Sequence, residues 1–138
     1  MHDDLNLKSS AYKSFQFNSP HKGQGLALIY RTQFNMLRPF IHLQTQHVQL
    51  ARLDQNPQCK LYLINAYIPP WTKYQERKKA TADIKRVYEF LSMKHKQFSC
   101  FLYMDANTDL RGQQLRNVQS RQALYDMIEK YDLRLSYD

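Results

Sequence analysis

The chain has 138 residues, 43% hydrophobic and 13% aromatic, enough for one cored domain and too apolar for wholesale disorder. Its 20 Lys+Arg against 12 Asp+Glu leave a formal net charge of +8, which favours polyanionic partners such as nucleic acid. No apolar run approaches the ~20 residues needed to cross a bilayer, and the acidic opening Met1-His2-Asp3-Asp4 lacks a secretory signal, so a soluble chain with no membrane partner is expected.

Residues 1–10 are polar and expected to be poorly ordered. Tyr12, Phe15 and Phe17 predict a short strand, with the turn formers Ser19-Pro20-His21-Lys22-Gly23 after it. Gly25 leads into Leu26-Ala27-Leu28-Ile29-Tyr30-Arg31, a continuous apolar run that predicts a buried strand. From Gln46 to Leu53 the pattern alternates, and Val48, Leu50 and Leu53 are the expected core face. Asp54-Gln55-Asn56-Pro57-Gln58 is turn chemistry, so Cys59 to Ala66 should pair back as a hairpin.

Pro69-Pro70 stops that strand, and Thr72 with Gln75 has the spacing of a capping box. Ala80, Ile84, Val87, Tyr88 and Leu91 then recur at helical spacing, with Lys78, Lys79, Lys85 and Arg86 on the other face. This predicts a helix covering a sheet, its charged back in water. A second buried strand, Phe101 to Met104, follows. Leu110 to Asn117 reads as a polar loop around Gly112. Ala123, Leu124, Met127, Ile128 and Tyr131 mark a second amphipathic helix, and Asp132 to Leu135 is expected to begin another strand.

Cys59 and Cys100 lie in apolar runs without zinc spacing, and buried free thiols in an intracellular, reducing compartment are expected. The five histidines, His2, His21, His42, His47 and His95, show no metal spacing and are taken as surface or structural groups.

The chemistry concentrates between Leu61 and Leu110. Two strands joined by a helix each release polar groups at their C-terminal ends, where α/β proteins keep their sites. One strand opens into Asn65-Ala66-Tyr67-Ile68-Pro69-Pro70, the other into Asp105-Ala106-Asn107-Thr108. Asp105 and Asn107 are two apart, so an extended backbone points both to one side. One supplies a carboxylate for a metal or a water, the other an amide for a phosphate oxygen. The same pair also serves as ordinary turn and cap chemistry.

These motifs resemble the middle of the endonuclease/exonuclease/phosphatase superfamily, the deoxyribonuclease-like phosphodiesterases, and most closely the endonuclease domains of non-LTR retrotransposons. That family shows a strand ending in Asn-x-Tyr-x-Pro, a helix, and a strand ending in Gly-Asp-Phe-Asn. Asn65, Tyr67 and Pro69 match the first motif, Asp105 and Asn107 the second. Met104 stands where the family has Gly, and Ala106 where it has Phe or another apolar residue. The resemblance implies an α+β fold, part of a four-layer α/β/β/α sandwich. It implies a hydrolase acting on phosphodiesters with Mg2+ or Mn2+, and nucleic acid as partner, DNA before RNA, with the nucleus an admissible location. Asp105 becomes the water-orienting base and a metal ligand, Asn107 and Tyr67 phosphate contacts, and Asn65 a supporting donor to substrate.

The family's early asparagine, its Glu-Thr-His-like metal element and its final Ser-Asp-His element have no counterpart here. The expectation is therefore one truncated domain over residues 1–138, marginally stable or self-associating, needing flanking segments of a longer polyprotein for substantial hydrolysis. The alternative expectation is a basic remnant that holds nucleic acid without cutting it.

Overall fold

The computed structural model describes residues 11–18, 25–33, 37–56, 59–108 and 118–135. The expectations for residues 1–10, for the turn at 19–23, for Pro57-Gln58 and for the loop at 110–117 lie outside them, as does the Cys59 side chain.

The fold is mixed α+β, with two sheets and two helices. A two-stranded antiparallel sheet joins β1 (Tyr12–Asn18) and β2 (Gly25–Arg31). A four-stranded sheet has the order β3-β4-β5-β6, built from β3 (Leu37–Pro39), β4 (Val48–Asn56), β5 (Cys59–Tyr67) and β6 (Ser99–Asp105). The helices are α1 (Tyr74–Lys94) and α2 (Val118–Lys130). β4 and β5 form the expected antiparallel hairpin, whereas β5 and β6 run parallel with α1 between them, a βαβ unit.

The layers follow from alternation. Val48, Leu50, Tyr62, Ile64 and Ala66 turn to one side of the sheet and pack with Ala80, Ile84, Val87, Tyr88 and Leu91 of α1, all fully buried or nearly so. Every apolar position predicted for this helix is in that core, and Lys78, Lys79, Lys85 and Arg86 are exposed as expected. Leu124 and Met127 bring α2 onto the same side, where Tyr131 stacks on Tyr88 with ring centroids 4.2 Å apart. The opposite face of β4 and β5 meets β1 and β2, giving three layers in the order helix, large sheet, small sheet, one more than the helix-and-sheet pair expected.

Five expectations need correction. β6 forms, but it is not the buried strand expected: none of its residues is buried and Phe101 and Tyr103 are exposed, because among the described residues no strand lies beyond it at the sheet edge. Leu53 does not share a face with Val48 and Leu50: it stands an odd number of residues away and is only half-buried. β4 is instead buried on both sides near its start, with Gln49 and Ala51 as inaccessible as Val48 and Leu50. β2 forms, but only Leu26 is buried and Ile29 is 51% exposed, because the small sheet has a neighbour on one face alone. No capping box forms at Thr72. Trp71 and Thr72 lie inside a turn that the Lys73 N–H closes on the Pro70 carbonyl, so the helix starts after Lys73, without a side-chain cap.

The last correction concerns Asp132 to Leu135, which is not a strand. Asp132 sits in the left-handed region at φ 49°, its N–H donating to Glu129 O and the next N–H, of Leu133, to Ile128 O. This is a Schellman-type stop for α2, with Leu133 folded back on the core. A Cβ is a cost at that φ. Asp132→Gly is expected to raise stability by about 0.5–1 kcal/mol, read from the shift in a urea unfolding midpoint.

A candidate site at the C-terminal rim of the paired strands

The parallel register sets Asn65 opposite Tyr103 and Tyr67 opposite Asp105. Paired residues on neighbouring strands share a face and lie about 5 Å apart. Ile64, Ala66 and Ile68 face α1, so Asn65, Tyr67 and Asp105 lie together on the other face, at the end of both strands. Asp105 is exposed and Tyr67 half-buried. Beyond the strands the two loops remain tied together. Ile68 N–H donates to Asp105 O at 2.8 Å, and the Asn107 side-chain Nδ2 donates to Ile68 O at 2.9 Å.

Asp105 and Asn107 also perform turn chemistry. Asn107 N–H donates to Asp105 Oδ1 at 3.1 Å, and Asn107 takes φ 45°, a left-handed conformation that asparagine tolerates. One hydrogen of the Asn107 amide is thus engaged in fixing the loop, which leaves the second as a donor. Asn65 is more fully committed. Its Nδ2 donates to Ala27 O of the small sheet at 3.2 Å and to Gln49 Oε1 of the neighbouring strand β4 at 3.0 Å, spending both amide hydrogens.

Gln49, fully buried, completes that contact by donating to Phe15 O and Leu26 O, each at 3.2 Å. One amide pair therefore anchors the small sheet beside the rim.

Arg77 holds the rim from the other side. It occupies the first turn of α1, is 8% exposed, and donates to Pro69 O, to Ala106 O at 3.2 Å and to Thr108 Oγ1 at 2.8 Å. One guanidinium thus clamps the loop after β5 to the loop after β6. Among the described residues its acceptors are all neutral, and burial pushes its pKa down. The run Glu76-Arg77-Lys78-Lys79 disguises this residue as part of a wet face. Its spacing from Ala80 and Ile84, three and seven positions on, places it on the apolar stripe.

On the β4 side of Tyr67, the Tyr67 N–H donates to His47 O at 2.8 Å. The His47 ring is buried, and its Nδ1 meets Asp83 Oδ2 of α1 at 2.9 Å, where Thr45 Oγ1 also donates at 2.9 Å. Phe17, Gln46 and Lys79 join these three around an open cleft of about 450 Å³. His95 bonds to the Tyr62 hydroxyl and His42 packs edge-on against Phe90, both structural arrangements. Cys100 is a free thiol, half-buried, and burial pushes its pKa up.

Among the described residues no group of three or more His, Cys, Asp or Glu side chains is placed to hold a metal ion. The exposed Asp105 carboxylate is a suitable hard-oxygen ligand for Mg2+ or Mn2+. It would need waters, phosphate oxygens or further carboxylates to complete a coordination shell. No helix among the described residues is long and apolar enough to cross a membrane.

The fold and rim define a mixed α+β protein whose polar loop ends meet beside a parallel strand pair. Comparison with protein-family models, with curated proteins and with solved structures found no match.

Proposed function

We propose that this rim is part of a divalent-metal-dependent phosphodiesterase site acting on nucleic acid, and that the three layers belong to a four-layer sandwich of the deoxyribonuclease-like type. The observation carrying the reading is the register that sets Tyr67 beside Asp105, with Asn107 tied to the intervening Ile68. Two motifs 38 positions apart by their Tyr67 and Asp105 members thereby share one edge.

In this reading Asp105 orients the attacking water and contributes one oxygen to the metal. The second Asn107 amide hydrogen and the Tyr67 hydroxyl contact the phosphate. Asn65 supports the rim through its bonds to Ala27 and Gln49 rather than by donating to substrate. The Arg77 charge, which meets neutral acceptors among the described residues, favours an anion nearby. Bound metal supplies Lewis-acid polarisation of the phosphoryl group. With one rim carboxylate among the described residues, weak metal binding and slow turnover are expected.

Plasmid nicking in Mg2+ tests this. Slow, metal-dependent nicking is expected, lowered at least tenfold by Asp105→Ala. Equal nicking by both proteins would remove Asp105 from the mechanism.

The net charge of +8 favours a second reading, a nucleic-acid-binding module without hydrolysis. Absence of nicking together with salt-sensitive DNA binding in a filter assay would select it. Binding indifferent to ionic strength would count against phosphate contacts in both readings.

A further inference from the structure

The two edges of the large sheet are built differently. β3, at one edge, is three residues long and carries Arg38 and Pro39. A short length, a charge and a missing N–H are the means by which proteins blunt an edge. β6, at the other edge, is seven residues of Ser-Cys-Phe-Leu-Tyr-Met-Asp, without Lys, Arg or Pro and without a register shift against β5. Its Phe101 and Tyr103 are 56% and 60% exposed on the face away from α1. A long, flat, apolar edge accepts another strand.

The backbone shows which groups are open. Asp105 O accepts from Ile68 N–H, so Asp105 and the residues two and four before it turn their N–H and C=O toward β5. Cys100, Leu102 and Met104 turn theirs outward, and among the described residues no strand pairs with them.

We propose that a second copy of this chain docks on this edge, β6 against β6, antiparallel about a two-fold axis at Leu102. In that register Leu102 meets its own counterpart and Cys100 meets Met104, closing about six ladder bonds. Phe101 then lies opposite Tyr103 of the second copy at non-hydrogen-bonded positions, where cross-strand side chains approach most closely. Ser99 and Asp105 meet at the ends. Apolar residues oppose apolar ones and polar oppose polar, so a single self-complementary register satisfies both copies.

The area points to a modest affinity. Four aromatic side chains of about 150–250 Å² each, more than half exposed in the monomer, add to two strand edges and approach the ~1,000 Å² of a specific interface. A micromolar dissociation constant is expected. Each copy carries +8, so mutual repulsion makes added salt strengthen the dimer, the opposite of its effect on nucleic-acid binding. The inference does not depend on the phosphodiester reading, and its test needs neither metal nor DNA.

Sedimentation equilibrium across the micromolar range should show a monomer–dimer equilibrium. Hydrogen exchange should slow with concentration at the Cys100, Leu102 and Met104 amides, while those of Phe101 and Tyr103, already bonded to β5, change little. Two double variants at the exposed aromatic positions test the register. Phe101→Glu with Tyr103→Lys sets opposite charges across the axis and should keep a dimer. Phe101→Glu with Tyr103→Glu sets like charges there and should be at least tenfold weaker, although its lower net charge alone would favour association. A wild-type chain monomeric throughout, protection centred on other amides, or equal behaviour of the two variants would overturn the proposal.

Discussion

Arg77→Met is expected to lower stability by roughly 3–5 kcal/mol, because each buried acceptor left without a partner costs about 1–3 kcal/mol. Three acceptors are at stake: Pro69 O, Ala106 O and Thr108 Oγ1. Thr108 donates its own hydroxyl to Ala106 O, so part of the loss at that carbonyl is already covered, which keeps the total below the full sum. The methionine retains most of the side-chain volume, so the loss reports the hydrogen bonds rather than a cavity. Arg77→Lys keeps the charge but replaces a planar fork by a single ammonium that cannot span three acceptors, and less than half the loss should return. Urea unfolding checks both: the midpoint should fall with the slope unchanged. A loss under about 1 kcal/mol for Arg77→Met would show that solvent reaches these carbonyls and that the clamp is incidental.

The clamp also explains what could be read in advance and what could not. The α1 core stripe was legible as a signal of period 3.6, the two strands carrying the site as short apolar runs bounded by polar residues, and the β4–β5 hairpin from the turn formers between its strands. So was the meeting of the two motifs: two apolar strands joined by a helix make a parallel pair, and a parallel pair brings its C-terminal ends to one edge. The family likeness remains a proposal, since no comparison supports it.

The residues that hold the rim were not legible, for a common reason. Gln49, Arg77 and His47 are buried polar groups whose partners stand 23, 29 and 36 positions away in the chain, at Leu26, Ala106 and Asp83. A local pattern scores such residues as surface, and only tertiary structure supplies their acceptors. Short elements escaped for a different reason. β3 and the 3-10 turn at Ile41–Leu43 span three residues each, too few for any period to register. The expected strand after α2 failed where an aspartate took the left-handed cap that a glycine would have announced.

Gln49→Leu carries the second large effect and separates the two sheets energetically. The substitution keeps an apolar side chain of similar size but removes the partners of Phe15 O, Leu26 O and the Asn65 amide at once. A loss of about 2–4 kcal/mol is expected. Its distribution matters more than its size. Among the described residues β1 and β2 are held by each other, by this amide contact with the large sheet and by Gln44 Nε2 donating to Gln16 O, so their amides should exchange faster in the variant. Those of β4 and β5, buttressed by α1, should keep their protection relative to the new global stability. Asn65 and Gln49 share one bond, so Asn65→Ala in the Gln49→Leu background should cost less than it does alone, by roughly 0.5–1.5 kcal/mol. Strict additivity would mean the two amides act separately. Asn65 would then return to the open face as a group able to meet substrate, and the division of labour proposed for the rim, with Asn65 supporting and Asp105 reacting, would have to be redrawn.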